Sequence, residues 1–495
     1  MALIADLLSA SAHLHSPMAN EEYDRRIREL VDYFKRLLST KALDSAANVE
    51  SYLDHLDPSI DSIAYLYVLG VQIQRAQELG GSPCPAEIRP AGKLWTRAAQ
   101  FLTNFDRVQV RYTGREWLRC GQPHFVQPLT QSQPLLGAKL IRDAMLRLDP
   151  SAAVFTSNHV LLVKLCLQAK TYSYALPILN KHICHFPALP EQTTSERSTI
   201  CADHVSSVSF ITSASGFSSK LSYQDYLQYF LYGGMIYMAL KEWRSALHFL
   251  GAAISTPIAS SVSLIMVEAY KKWVLVGLLE KGKLCSPPSI TAPHVVKLYQ
   301  SLARPYVSLA QAFERGDMKR LRGEVDAAME IWHTDNNFGL VSQVVDAFFR
   351  QTVTKLGKTF AALTVADLVK QVFPSPAERI VTESAVSSLI MSGALDASLV
   401  QMQDAAELSI LRFSTAPSFP RLSHELDVQY HLKKERQLME NLVSNLEEIN
   451  NAMAMSDECL DNLQRGQAWA ASNGTNSIPA EGGLEMDEDL MGDMS

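Results

Sequence analysis

Cysteine is scarce in this chain. Seven are scattered over 495 residues, and no two form a C-x-x-C pair. That excludes a disulfide framework and a zinc knuckle, and it suits a reducing compartment, cytoplasm or nucleus. Long apolar runs are missing too. Residues 245–267 carry no charge, but His248, Pro257 and several serines interrupt them, so no stretch reaches the roughly 18 apolar residues of a membrane span. The opening MALIADLLSASAHLH lacks the basic start of a signal peptide, and no secretory leader is expected. Positive charge is also in short supply. Lys and Arg number 45 against 52 Asp and Glu, a net −7. Six of the acids (Glu481, Glu485, Asp487, Glu488, Asp489, Asp493) follow Gly466 with no base among them, which leaves the body almost neutral. A neutral body argues against a nucleic-acid surface as its main business.

What is present is helical periodicity. The length allows two to four domains or one long solenoid. In the stretch from Tyr223, the residues Tyr226, Leu227, Phe230, Gly234, Tyr237 and Leu240 share one face. Trp243, Ala246, Leu247, Leu250, Ala253 and Ile254 form a second face, with Lys241 and Glu242 alone between the two. The helices must therefore fold back on each other, and Gly234, Ala246 and Ala253 let their backbones approach. Pro257 ends the pair. A third helix, 262–279, is apolar on nearly every side and should be buried on several faces. KTYSYALPIL (170–179) aligns without gaps on KEWRSALHFL (241–250), 71 residues later. That offset is about two tetratricopeptide-like repeats, and it predicts a stack of helical hairpins.

Elsewhere the text is also mostly helical. Tyr23, Ile27, Leu30, Val31, Phe34, Leu37 and Leu38 form one stripe of an amphipathic helix from Asn20. Loops are expected at 80–90, 122–134 and 286–293, where prolines cluster. Residues 187–222, rich in Ser and Thr, read as an inserted loop. Helices are expected at 294–313, split by Pro305, at 318–333, and at 338–350 with Asp335, Asn336 and Asn337 as capping text. Between 359 and 413 the character changes. Two short helices, 365–373 capped by Thr364 and 377–391, precede two short strands, 394–399 and 409–413. Helix, helix and ribbon make a winged helix. From about Ser423 a long helix carries Leu432, Met439, Leu442, Leu446, Ile449, Met453 and Leu460 at three-four spacing. It is apolar on one side and so needs a partner. The end of the chain is Gly, Ser, Asn and acid, and reads as a disordered tail.

Candidate chemistry is thin. GLLEKGK (277–283) resembles a phosphate-binding loop, but Leu284 stands where Ser or Thr must hold magnesium, and a helix precedes it where a strand is needed. It reads better as a helix stop at Gly282, with Lys281 and Lys283 favouring the helix C-terminus. His182, Cys184 and His185 lack a second pair at ligand spacing. Between 364 and 413 six acids face three bases, too little positive charge for phosphate contacts. No nucleophile–base set stands out and no cofactor is expected.

Three strings, GGMIY (233–237), EAYKKW (268–273) and DNNFGL (335–340), in this order and spacing, resemble subunit 3 of the COP9 signalosome. The likeness is best over 221–363. That family is a scaffold subunit with a PCI domain, helical repeats ending in a winged helix. His13 and His15 invite comparison with the His-x-His metalloprotease subunit of the same complex, but Tyr23 and Arg26 stand where that motif needs its Ser and Asp. The resemblance implies a mainly α chain: a solenoid at 1–222, the helical part of a PCI domain at 223–358, its winged helix at 359–415, a bundle helix at 420–464 and an acidic tail at 465–495. It implies a non-catalytic scaffold of a complex that removes a ubiquitin-like modifier from cullins, in cytoplasm and nucleus. Its partners would be other PCI subunits, reached through the ribbon edge (Leu395, Ala397, Leu399, Ile410, Phe413) and the C-terminal helix seam, with cullin-RING ligases indirect. No membrane contact is implied. A PCI subunit of the proteasome lid or of a translation initiation factor is the alternative within that architecture. A nucleic-acid adaptor is the alternative outside it.

Overall fold

The computed structural model describes residues 19–40, 49–80, 89–90, 92–121, 133–187, 201, 206–257, 262–372, 379–391, 395–401, 409–413 and 422–454. Leu460, the acidic tail, His13, His15 and most of the expected loops at 80–90 and 122–134 lie outside them. The chain divides into two compact units, Met1–Arg421 and Leu422–Ser495.

The first unit is helical with one small sheet, and it holds two apolar cores. The N-terminal core is built on the helix Asn20–Ser39, which buries Ile27, Leu30, Val31 and Phe34 as its stripe predicts. Phe34 stacks on Tyr67 of the helix Ser62–Gly80, with ring centroids 5.0 Å apart. The expected loop at 187–222 is corrected in its described part. A short helix, Ser207–Phe210, and the turn after it bury Phe210, Ile211 and Phe217 in this core. Arg111 lies over the Phe210 ring at 4.8 Å. The segment lacks a helical period because it anchors through isolated aromatics.

The second core centres on the hairpin Tyr223–Ala239 and Trp243–Ile254. Its helices approach so closely that a Cβ on Gly233 would lie 2.6 Å from the Phe249 ring, and one on Gly234 would lie 2.8 Å from Leu250. A side chain at either position would have to push Phe249 or Leu250 aside. The next helix, Leu264–Lys281, buries side chains around most of its circumference.

The repeat shows in the turns alone: after them Trp243–Ile254 is a 12-residue helix, whereas the aligned text forms a 3-10 turn, Tyr172–Ala175, and a single α-turn, Leu176–Leu179. Lys241 has φ 60, and its turn closes by Glu242 N–H to Tyr237 O and Lys241 N–H to Met238 O. Lys170, its aligned counterpart, has φ 54, with Thr171 N–H to Cys166 O and Lys170 N–H to Leu167 O. Asn336 repeats the geometry at φ 53. These are left-handed helix ends in which two amides return to carbonyls of the last turn. Asparagine tolerates that backbone, whereas lysine carries a strain of roughly 1–2 kcal/mol there. Part of this is offset by the extra unfolded-chain freedom that glycine brings. The double variant K170G/K241G should therefore unfold about 1 kcal/mol less readily in urea. A loss of stability would show that the lysine stems pack.

Beyond the hairpin, Pro305 splits the chain into Pro293–Leu302 and Arg304–Arg315, as expected. The helix expected over 318–333 is instead two, Met318–Ala327 and Met329–Thr334, broken at Ala328. The last long helix of the unit, Phe338–Gly357, ends where a Cβ on Gly357 would meet the Phe413 ring at 2.7 Å. That contact seats the sheet module on the helical part.

The module contains three strands, β1 (Ala362–Thr364), β2 (Ala397–Gln401) and β3 (Ser409–Phe413), in the antiparallel order β1-β3-β2. Its helices are Val365–Val372 and Arg379–Met391. Thr364 starts the first as expected: its hydroxyl accepts the Asp367 N–H at 3.1 Å and donates to the Asp367 carboxylate at 2.7 Å. The second unit contains one long helix, Leu422–Ala454, beginning where the periodicity begins.

Candidate interaction site

The register decides which ribbon residues can meet a neighbour. Phe413 donates its N–H to Ala361 O, so odd-numbered β3 residues bond toward β1. Antiparallel pairs alternate, so Arg412 and Ile410 bond to Ser398 and Val400. Ala397, Leu399 and Gln401 then turn their amides and carbonyls to the open side of β2, where the Ala397 N–H is already taken by Leu395 O at 3.1 Å. The expectation that both strands offer an edge is corrected here. β3 is the central strand, so Ile410 and Phe413 have no free backbone edge, and Phe413 is buried against Gly357. Leu395 is corrected as well. It precedes β2, is buried in the core, and donates its N–H to Leu389 O. Ala397 and Leu399 keep their place on the edge. β1 escaped sequence reading because three residues are too short for a period of two.

On the C-terminal helix, Leu432, Met439, Leu442 and Leu446 are exposed, with Leu432 and Met439 at 64% and 65%. Ile449 and Met453 lie on the same helix. Water around such a run is costly, and a partner helix is the usual cover.

Two of the strings noted above converge in three dimensions. Lys271 Nζ reaches both oxygens of Asp335 at 2.8 Å, and Tyr306 Oη donates to the same carboxylate at 2.7 Å. Asn337 Nδ2 donates to Tyr306 Oη at 2.8 Å, and Lys272 Nζ donates to Asn337 Oδ1 at 2.8 Å and to Glu268. Lys272 is 6% exposed and Asn337 1%. Burial, with the Asp335 carboxylate, holds the Tyr306 phenol protonated well above its usual range. The network ties Leu264–Lys281 to the turn before Phe338–Gly357. It also corrects the capping expectation: Asn337 stands at the helix N-cap, but its side chain makes no cap bond. A buried ammonium gains more from it than an exposed helix end does.

The near phosphate loop has a different job. Gly282, at φ 67, caps its helix by donating to Leu278 O, and the Leu284 N–H is taken by Glu314 at 2.6 Å. His182 and Cys184 are half-buried, and burial lowers the His182 pKa. Among the described residues, no three His, Cys, Asp or Glu side chains are placed to share a metal ion. No described helix is long and apolar enough to cross a membrane.

A family model described as COP9 signalosome complex subunit 3, N-terminal helical repeats, matches residues 24–296. The chain is similar to the COP9 signalosome complex subunit 3 of Emericella nidulans, 40% identical over 496 residues and 99% of each chain. It is similar to the protein of that name from Neurospora crassa, 25% identical over 494 residues and 95% of each.

Proposed function

The chain belongs to the COP9 signalosome subunit 3 family, and from that premise we propose that it works by geometry: a non-catalytic scaffold that holds neighbouring subunits by a strand edge and a helix seam. The complex it serves would remove a ubiquitin-like modifier from cullins, in cytoplasm and nucleus, with cullin-RING ligases as indirect partners. The observation that carries this reading is the open side of β2. Among the described residues, Leu399 and Gln401 turn their N–H groups to that side without a partner, while the Ala397 N–H is taken by Leu395 O, next to a covered central strand. A winged-helix ribbon of a neighbouring PCI subunit would extend the sheet by main-chain hydrogen bonds.

Leu399→Pro tests the edge. It removes an amide from the open side while the ladder bonds of Ser398 and Val400 remain. Tagged L399P chain should recover its partner subunits at about a tenth of the wild-type yield or less, roughly the loss of one or two hydrogen bonds. Leu399 is partly packed on the core, so the melting of the isolated chain is measured alongside. Normal recovery of every subunit with L399P would rule the edge out. Val400→Pro, which breaks the internal ladder, should instead lower the melting temperature.

A further inference from the structure

The two apolar cores of the first unit meet over a partly open cavity of about 50 Å³. Met145 and Ala152 come from one core, and Trp117, Leu148 and Phe217 from the other. The wall is largely apolar, yet three buried polar side chains, Asp149, Thr156 and His159, line it, and two of them carry an atom without a partner among the described residues. Asp149, 7% exposed, follows the helix Pro134–Leu148. Its Oδ1 accepts from the Ser151 N–H at 3.0 Å and the Ser151 hydroxyl at 2.6 Å. Its Oδ2 is buried and has no hydrogen-bond partner among the described residues.

His159, 2% exposed, is fixed on the other side. Its Nδ1 accepts the Thr156 N–H at 3.1 Å, which leaves the proton on Nε2. Burial depresses the imidazole pKa to about 4, so the ring is neutral at physiological pH. Nε2 is buried without a hydrogen-bond partner among the described residues. The Ala152 carbonyl is near enough to favour the charged ring but makes no hydrogen bond to Nε2. Ala152 itself is held at φ 48, a left-handed backbone rare for alanine and common at ligand sites.

A buried donor and a buried acceptor without partners are costly to leave so. The space holds roughly four water-sized spheres, room for a small ring. We propose that this seam cavity is a binding site for a small neutral carboxamide with an aromatic or alkyl body. The amide oxygen accepts from His159 Nε2–H, the amide nitrogen donates to Asp149 Oδ2, and the apolar body lies against Trp117 and Phe217. A charged ligand is disfavoured by the apolar wall, and a pure hydrocarbon leaves both polar atoms unpaired.

The test uses the full chain, with benzamide and acetophenone as probes and binding read by calorimetry and thermal shift. Benzamide should bind saturably at one site, about tenfold tighter than acetophenone, which lacks the donor. Asp149→Asn keeps the Ser151 contact but turns Oδ2 into a donor, so it should erase that tenfold preference. Ala144→Leu fills the cavity and should abolish binding of both probes, and its melting curve reports whether it folds. Failure of benzamide to saturate overturns the proposal. So does benzamide binding that is unchanged in both variants.

Discussion

Asn337→Ala is expected to cost about 3 kcal/mol of folding stability, read as a lower urea midpoint at unchanged slope. Asn337 and Tyr306 form an uncharged link between Lys272 and Asp335, and Asn337 is the member that touches the buried ammonium. Its amide oxygen takes the Lys272 ammonium and its nitrogen serves Tyr306. Without it, Lys272 keeps Glu268 alone, inside a core where an under-paired charge is expensive. The attraction is not what stabilises most here; it is the penalty of leaving the ammonium stranded. Lys272→Met combined with Asn337→Leu should therefore recover most of the loss, since no charge is then buried and the volume is kept. A single-variant cost below about 0.5 kcal/mol would place the network among exposed ion pairs of small worth.

Removing residues 422–463 is expected to abolish recovery of partner subunits while the chain's own melting temperature moves little. Neither apolar core of the first unit includes a described residue of the helix Leu422–Ala454. A single helix of this kind gains most of its stability from a partner covering its apolar face. Leu432, Met439, Leu442 and Leu446 offer that face. Burying four such side chains is worth roughly 6–10 kcal/mol before association costs, which is enough to decide membership of a complex. Undiminished recovery would refute the bundle role. A large fall in melting temperature would make the helix a structural part of the first unit.

Much of this could be read in the sequence wherever a period or a steric demand is strong. The stripe of Ile27, Leu30, Val31 and Phe34, the tight approach at Gly234 and the break at Pro305 all follow from local rules. The Lys170–Lys241 correspondence is legible for the left-handed turn only, since the text aligned with the helix Trp243–Ile254 forms a 3-10 turn and one α-turn instead. What stayed hidden is set by distant contacts. Asn337 reads as a cap because nothing local announces Lys272, 65 residues away. Phe210 and Phe217 read as loop because two aromatics in polar text have no period. In the ribbon, β3 lies where a short strand is expected, but its central position depends on β1, a strand too short to signal itself. The donor and acceptor of the seam cavity belong to a turn and a helix start, positions that single-chain text reads as routine.

The register of β2 sets a rule for anything that adds to it. Its outward residues recur at every second position, with the amides of Leu399 and Gln401 open and that of Ala397 held by Leu395 O, about 7 Å apart along the strand. A visiting strand can slide past by two positions and pair again, but a slip of one turns its side chains to the opposite face. Neighbours are thus selected in discrete steps, like teeth on a rack, and a single inserted residue in a partner's ribbon would be enough to refuse the fit.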